Sequence, residues 1–339
     1  MTAGAVAGSA RSARSRRTVD VPALVGQAAA GNARAVGRLI SLVEDASPAL
    51  REVMALLAPL AGHARVIGLT GSPGVGKSTS TSALVSAYRR RGMRVGVLAV
   101  DPSSPFSGGA LLGDRVRMQD HATDEGVFIR SMASRGHLGG LSWATPQALR
   151  VLSAAGCDVV LVETVGVGQA EVEVASLADT TLVLLAPGMG DGIQAAKAGI
   201  LEVADIFVVN KADRDGADQV VRDLRYMQSL GEQSPSQAKV EGKWVAPILK
   251  TIAAKGEGAD EVVDQIEKHG EWLSRTGTLT ARRQRRASDE VEAIALTVLR
   301  DRMGDLRGGD LLDLLAARVV DGQLDPYCAA DELVAGITS

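Results

Sequence analysis

Short runs of apolar residues alternate with longer stretches of helical periodicity between residues 65 and 251. The runs are continuously apolar, which is typical of strands buried on both faces of a parallel sheet. They predict seven strands, at 66–70, 95–100, 127–130, 159–162, 182–186, 206–209 and 247–251. Because ligands bind at the carboxyl ends of such strands, the residues that follow each run are the first place to look for chemistry.

Helical patterns flank this region on both sides. A helix is predicted to begin near Asp20 and to stop at Gly31, and two more apolar stripes follow before residue 62. On the carboxyl side, the basic run 282–286 precedes a helix predicted from Ser288. The run suits either a solvated helix face or a docking surface for an acidic partner. We therefore expect four parts: a disordered basic tail (1–20), a helical segment (21–62), a domain built on the predicted sheet (63–275) and a helical carboxyl-terminal region (276–339).

Composition narrows the setting. The chain has 339 residues, 46% of them hydrophobic but only 3% aromatic, so the core must consist mostly of aliphatic side chains. A net charge of −3 gives no reason to expect nucleic-acid binding. Cys157 and Cys328 lie too far apart for a disulfide framework or a metal motif, and no apolar run suggests a membrane span. These features favour a cytoplasmic protein, although the arginine-rich start also has the bias of a transit peptide.

A glycine-rich sequence follows the first predicted strand at once and leads into a helical pattern. It matches G-x-x-x-x-G-K-S, the phosphate-binding loop of nucleoside triphosphatases, in the strand–loop–helix setting that this motif requires. The glycines allow backbone N–H groups to surround a polyphosphate. Lys77 should contact the β- and γ-phosphates, and Ser78 should bind Mg²⁺. The motif comprises Gly71, Ser72, Pro73, Gly74, Val75, Gly76, Lys77, Ser78 and Thr79.

A second motif follows the predicted strand 206–209. Asn210, Lys211 and Asp213 match the guanine-reading sequence N-K-x-D. A carboxylate at Asp213 can accept both N–H donors of guanine, whereas adenine offers an acceptor at the same position. Asn210 would hold the other edge of the base, and the Lys211 stem would pack over the ring. The motif therefore predicts GTP rather than ATP.

Acidic residues at strand ends form a candidate metal site. Asp101 and Glu163 end two predicted strands beside the phosphate loop, and Glu163 stands where GTPases usually carry the aspartate of D-x-x-G. Asp114 follows a glycine-rich stretch that could become ordered on GTP binding. Each of these acids could instead be a helix cap or a surface charge. Lys197 follows a third glycine-rich stretch and could stabilise phosphate charge, pair across an interface, or simply be exposed.

Longer sequence patterns make a resemblance specific. They are Asp101-Pro102-Ser103-Ser104-Pro105, the stretches 108–115 and 135–140, Glu163-Thr164-Val165-Gly166-Val167-Gly168-Gln169, and the stretch 190–202 with Lys197. Together they resemble the MeaB/MMAA family, also labelled ArgK or LAO/AO transport ATPase, from about Val21 onwards.

The resemblance implies an α/β, mostly parallel-sheet P-loop GTPase domain of the signal-recognition-particle class, with a carboxyl-terminal helical arm that forms a homodimer. It implies a Mg²⁺-dependent GTPase that acts as a chaperone for adenosylcobalamin-dependent methylmalonyl-CoA mutase. Carried over by motif, Lys77 and Ser78 would bind phosphate and metal, and Asp101, Asp114 and Glu163 would form the magnesium and water network. Lys197 would lie in a switch that responds to the partner. One departure concerns the last guanine-contacting loop, where Ile252, Ala253 and Ala254 replace the usual serine-containing sequence.

Several questions stay open at the level of sequence. We expect slow GTP hydrolysis that a partner accelerates, with Lys77, Asp114, Glu163 and Lys197 as candidate catalytic residues. Gln169 is a further candidate for positioning the attacking water. The alternative function is an ATP-dependent kinase linked to lysine, arginine and ornithine transport, which the guanine motif disfavours. Metal insertion is a third option, but the four histidines are scattered along the chain.

Overall fold

The computed structural model describes residues 19–101, 119–121, 123–133, 144–164, 170–188, 203–232, 242–303 and 310–338. The chain divides into two compact units, Met1–Thr276 and Gly277–Ser339. No helix within the described ranges is long and apolar enough to cross a membrane.

A seven-stranded parallel sheet forms the centre of the first unit, which confirms the predicted α/β class. Its strand order is β3-β2-β4-β1-β5-β6-β7, so the first strand lies in the middle. Leu69 is level with Glu163 on one side and with Leu182 on the other, which brings the ends of these strands to one edge. The strands are β1 (Arg65–Thr70), β2 (Val95–Asp101), β3 (Val127–Ala133), β4 (Val159–Thr164), β5 (Thr180–Leu185), β6 (Ile206–Val209) and β7 (Ile248–Lys250).

Helices cover both faces of this sheet. The first begins where predicted, since the Asp20 carboxylate accepts a hydrogen bond from Ala23 N (3.0 Å). Asn32 caps the second helix by accepting from Arg34 N and Ala35 N at 3.0 and 3.1 Å. The α-helices among the described residues of this unit are α1 (Val21–Ala29), α2 (Ala33–Glu44), α3 (Leu50–Leu57), α4 (Lys77–Arg90), α5 (Thr145–Ala154), α6 (Ala170–Leu177), α7 (Ala217–Glu232) and α8 (Ala259–Arg275).

The amino-terminal helices α1–α3 are packed onto the α/β domain. Their fully buried side chains, such as Leu39 and Val53, share one core cluster with α5 and with residues of β2–β4. An ion pair between Arg130 of β3 and Glu44 of α2 joins the helices to the sheet, and Arg130 also donates to Ser41 Oγ (3.0 Å). The predicted helical segment 21–62 is therefore part of the same compact unit as the sheet.

The fifth strand begins earlier than its apolar run indicated. Thr180 and Thr181 are polar but buried, because their polar groups have partners inside the protein. Thr181 N donates to the Asp205 carboxylate at 2.9 Å, and Thr180 Oγ1 lies 2.8 Å from His269 Nδ1. Hydrophobicity alone could not show these pairings.

Where the structure describes the second unit, at 277–303 and 310–338, it contains three helices. They are α9 (Thr278–Met303), α10 (Asp310–Val320) and α11 (Pro326–Thr338). The prediction that the first of them starts at Ser288 is wrong, because arginine, alanine and glutamine favour helix and nothing between 278 and 288 breaks it. The basic run 282–286 therefore lies within α9. Several apolar side chains of α9 are about half exposed, namely Val291, Ile294, Leu296 and Leu299.

Two glycine substitutions should change stability in opposite directions. Gly37 lies in α2, where a Cβ would meet no atom within 4 Å, so Gly37→Ala should raise the free energy of unfolding by about 0.5–1 kcal/mol. Gly68 lies in β1, where a Cβ would lie 2.3 Å from Val174 Cγ1 of α6. Gly68→Ala should lower the free energy of unfolding by about 1–3 kcal/mol. Urea denaturation measures the free energy of unfolding of each variant. A Gly68→Ala variant as stable as Gly37→Ala would contradict tight packing of α6 on β1.

Candidate functional site

The phosphate loop joins β1 to α4 at the centre of the sheet. Gly71, Gly74 and Gly76 have φ angles of +139°, +81° and +96°, conformations that other residues rarely adopt. A Cβ on Gly71 would lie 2.3 Å from Leu184 O, so the loop rests directly on β5. The loop conformation therefore depends on glycine at its ends, as the sequence motif indicated.

Lys77 is the first residue of α4, and its side chain is buried. Its Nζ donates hydrogen bonds to Gly71 O (2.6 Å) and Ser72 O (3.2 Å). The ammonium group is thus held against the loop that precedes it. This position suits a charge that must meet a phosphate inside the loop.

Two hydroxyl groups of α4 contact one carboxylate at the end of β4. Ser78 Oγ donates a hydrogen bond to Glu163 Oε1, and Thr81 Oγ1 donates one to Glu163 Oε2 (2.9 Å). All three side chains are buried. The sequence analysis identified Ser78 and Glu163 but missed Thr81. Thr81 follows Ser78 by three residues, and this spacing places both hydroxyls on one helix face. The spacing could have identified Thr81 as a second neighbour of the carboxylate.

The Ser78 and Glu163 oxygens could hold Mg²⁺. This ion binds oxygen ligands, and in nucleotide sites it takes one or two protein ligands together with phosphate oxygens and water. Asp101 is the last residue of β2, in the strand next to β4. Asp114 and Lys197 lie outside the described residues, and so does Gln169.

Asn210 connects the phosphate loop to the loop after β7. Its Nδ2 donates to Val75 O (2.9 Å), and its Oδ1 accepts from Ala253 N (3.0 Å) and Thr251 Oγ1 (3.2 Å). Lys211 adds a second connection, because its Nζ donates to Gly74 O (2.6 Å). These contacts give Asn210 a structural role that the sequence did not reveal; its predicted contact with the base stays a prediction.

Two of the groups expected to contact guanine have no protein hydrogen-bond partners among the described residues. Asp213 is exposed, and no group among the described residues forms a hydrogen bond or ion pair with its carboxylate. Ala254 lies in a 3₁₀ turn, Ala253–Lys255, and within the described part of the chain its backbone N–H has no acceptor. Ile252 pairs with Glu257 across this turn, with Ile252 N donating to Glu257 O (3.1 Å). The loop thus offers a backbone donor without a serine side chain.

Comparison with known proteins agrees with this geometry. The family model described as "Methylmalonyl Co-A mutase-associated GTPase MeaB" matches residues 36–306. The chain belongs to the MeaB family. The resemblance drawn from the sequence motifs is confirmed, and membership makes the chain a GTPase.

Individual relatives of this MeaB-family GTPase span most of its length. A Pyrococcus abyssi protein whose name places it among the GTPases is 46% identical over 305 residues, which is 90% of this chain and 93% of that protein. The mouse "Methylmalonic aciduria type A homolog, mitochondrial" is 34% identical over 274 residues, covering 80% of this chain and 65% of the mouse protein. A crystal structure titled "LAO/AO transport system kinase" superposes with a TM-score of 0.68 at 27% identity, covering 94% of this chain and 98% of that one.

Proposed function

We propose that this MeaB-family protein is a Mg²⁺-dependent GTPase that acts as a chaperone of adenosylcobalamin-dependent methylmalonyl-CoA mutase. It would gate cofactor loading and protect or reactivate the mutase. The observation that carries the GTP assignment is an exposed Asp213 carboxylate, unpaired among the described residues, three positions after Asn210, which is hydrogen-bonded to the phosphate loop. The mutase assignment is supported by the family description and by the name of the mouse relative.

The base-reading groups support guanine over adenine. Asp213 would accept the two N–H donors of guanine, and the Ala254 N–H would donate to the guanine oxygen O6. Adenine would place an acceptor against the carboxylate and a donor against the amide. A polar site bound to a base with mismatched donors and acceptors loses several kilocalories per mole of binding free energy. This arrangement therefore supports strong selection for GTP.

The phosphate-binding groups support hydrolysis by charge stabilisation. Lys77 would exchange its contacts with the Gly71 and Ser72 carbonyls for contacts with phosphate oxygens. Ser78 and Glu163 would hold Mg²⁺, which when bound neutralises charge that develops on the phosphates. The family resemblance adds Asp101, Asp114 and Lys197 to this machinery. A site that mainly positions groups suits a GTPase that is slow alone and accelerated by its partner.

The second unit supports a homodimer. Val291, Ile294 and Leu299 of α9 expose apolar side chains that a monomer would leave in water. A second copy of the chain would cover them. The kinase alternative is not proposed, because a carboxylate at position 213 opposes adenine.

Nucleotide-dependent capture of the mutase tests the proposal. The full chain, immobilised, should bind a cobalamin-dependent methylmalonyl-CoA mutase more strongly with a non-hydrolysable GTP analogue or with GDP than with no nucleotide. The matching ATP analogue is the control and should leave capture unchanged. Failure to capture the mutase in any nucleotide state would overturn the chaperone assignment, and an equal response to the ATP analogue would overturn the selection of guanine.

A further inference from the structure

We propose that Thr81 is a positioning residue for the metal site: its hydroxyl fixes Glu163 Oε2 so that Oε1 stays beside Ser78. The inference rests on the proposed role of Mg²⁺. It assigns a part in metal binding to a residue outside the G-x-x-x-x-G-K-S motif.

The hydrogen-bonding choices of Thr81 are few. Its side chain is fully buried. Among the described residues, two acceptors lie within reach of its hydroxyl, Glu163 Oε2 at 2.9 Å and Lys77 O at 3.0 Å. A hydroxyl has one proton to donate, and an ionised carboxylate is the stronger acceptor. Thr81 Oγ1 therefore donates its hydrogen bond to Glu163 Oε2.

The contact leaves Glu163 little freedom. Its backbone is held on both sides, since Glu163 is level with Leu69 of β1 and Ala99 of β2. Its two carboxylate oxygens each meet a different hydroxyl of α4, Ser78 at Oε1 and Thr81 at Oε2. Rotation of the carboxylate would break both contacts. Thr81 thus selects one oxygen for the metal position.

This arrangement accounts for glutamate at a position where GTPases usually have aspartate. The carboxylate must bridge two hydroxyls three residues apart on the first turns of α4. Aspartate is one methylene shorter, so at the end of β4 it would have to give up one of the two contacts. On this reasoning, the glutamate at position 163 and the hydroxyl at position 81 depend on each other.

A purely structural role for Thr81, joining α4 to β4, makes a different prediction. It would weaken the fold, and nucleotide binding with it, whether or not magnesium is present. A positioning role should act only through the metal, because removal of an outer-shell partner typically lowers metal affinity about 10–100-fold. The magnesium dependence of nucleotide affinity separates the two.

The experiment measures GDP affinity of the full chain by calorimetry across a magnesium titration, with EDTA as the metal-free reference. Thr81→Val has nearly the same shape but no hydroxyl, and should raise the Mg²⁺ concentration for half-maximal affinity about tenfold. Its GDP affinity in EDTA should stay within about twofold of wild type. Thr81→Ser keeps the hydroxyl and should restore the wild-type midpoint. Ser80→Ala is the matched control, because Ser80 is a buried neighbour on α4 whose hydroxyl has no partner among the described residues.

The outcomes are distinct. A wild-type magnesium midpoint in Thr81→Val overturns the inference, and so does an equal loss of affinity in EDTA and in magnesium. If the GDP affinity of the wild-type protein does not change with magnesium concentration, the proposed metal dependence and the inference are both overturned. GDP binding itself would still support the nucleotide site. Thr81→Ala repeats the test if Thr81→Val lacks a cooperative melting transition.

Discussion

Replacing Asp213 by asparagine should weaken GTP and GDP binding about 100-fold and give the protein a preference for xanthosine nucleotides. Each hydrogen bond to a charged group contributes about 1.5–3 kcal/mol, and asparagine places an N–H₂ donor against one of the two guanine donors. The predicted loss therefore corresponds to about 2.7 kcal/mol. Xanthine has a carbonyl group where guanine has its amino group, so it can accept from the new amide. Calorimetric titration with GDP and with xanthosine diphosphate measures both effects.

Asp215→Asn provides a matched control for this change. Asp215 is an exposed acid two residues further along the same turn, and removal of its charge alters the local electrostatics similarly. It should change GDP affinity less than about twofold if the effect at 213 comes from direct pairing with the base. Similar losses in both variants would mean that position 213 acts through general charge and does not read the base.

Replacing Lys77 by alanine should lower the rate of GTP hydrolysis about 10²–10³-fold, the usual cost of removing one preorganised charge-stabilising donor. The ammonium is buried and held against the phosphate loop by Gly71 O and Ser72 O, so its loss removes a positive charge from inside the loop. Single-turnover hydrolysis at saturating GTP measures the effect on the chemical step separately from binding.

Lys268→Ala is the control for the loss of a positive charge, because Lys268 is exposed on α8 and belongs to no part of the site. Its rate should match the wild type. A Lys77→Ala variant that keeps its melting temperature and hydrolyses GTP within about tenfold of the wild-type rate would contradict the proposed phosphate contact.

The sequence was sufficient for the parts of the fold that depend on local patterns. Continuous apolar runs predicted every strand of the sheet, and the helix predicted to begin near Asp20 starts with that residue as its cap. The predicted fold class, family and GTPase activity are confirmed. These features could be predicted because each depends on residues that are neighbours in the chain.

Features that depend on distant partners were missed. The start of β5 at Thr180 depends on His269 and Asp205, and the contact of Thr81 with Glu163 joins residues 82 positions apart. The start of α9 at Thr278 differs from the predicted start at Ser288 for another reason, because the basic run 282–286 is itself helical and arginine favours helix. No single-residue pattern signals a pairing across the sheet.

The amide of Asn210 has a consequence for how nucleotide leaves. One side chain holds the carbonyl of Val75 in the phosphate loop and the backbone of Ala253 beside the base-reading turn. If either loop moves away, this shared contact breaks and the other loop loses one of its hydrogen bonds. Departure of the guanine and movement of the loop around the phosphates should therefore be energetically coupled through one side chain.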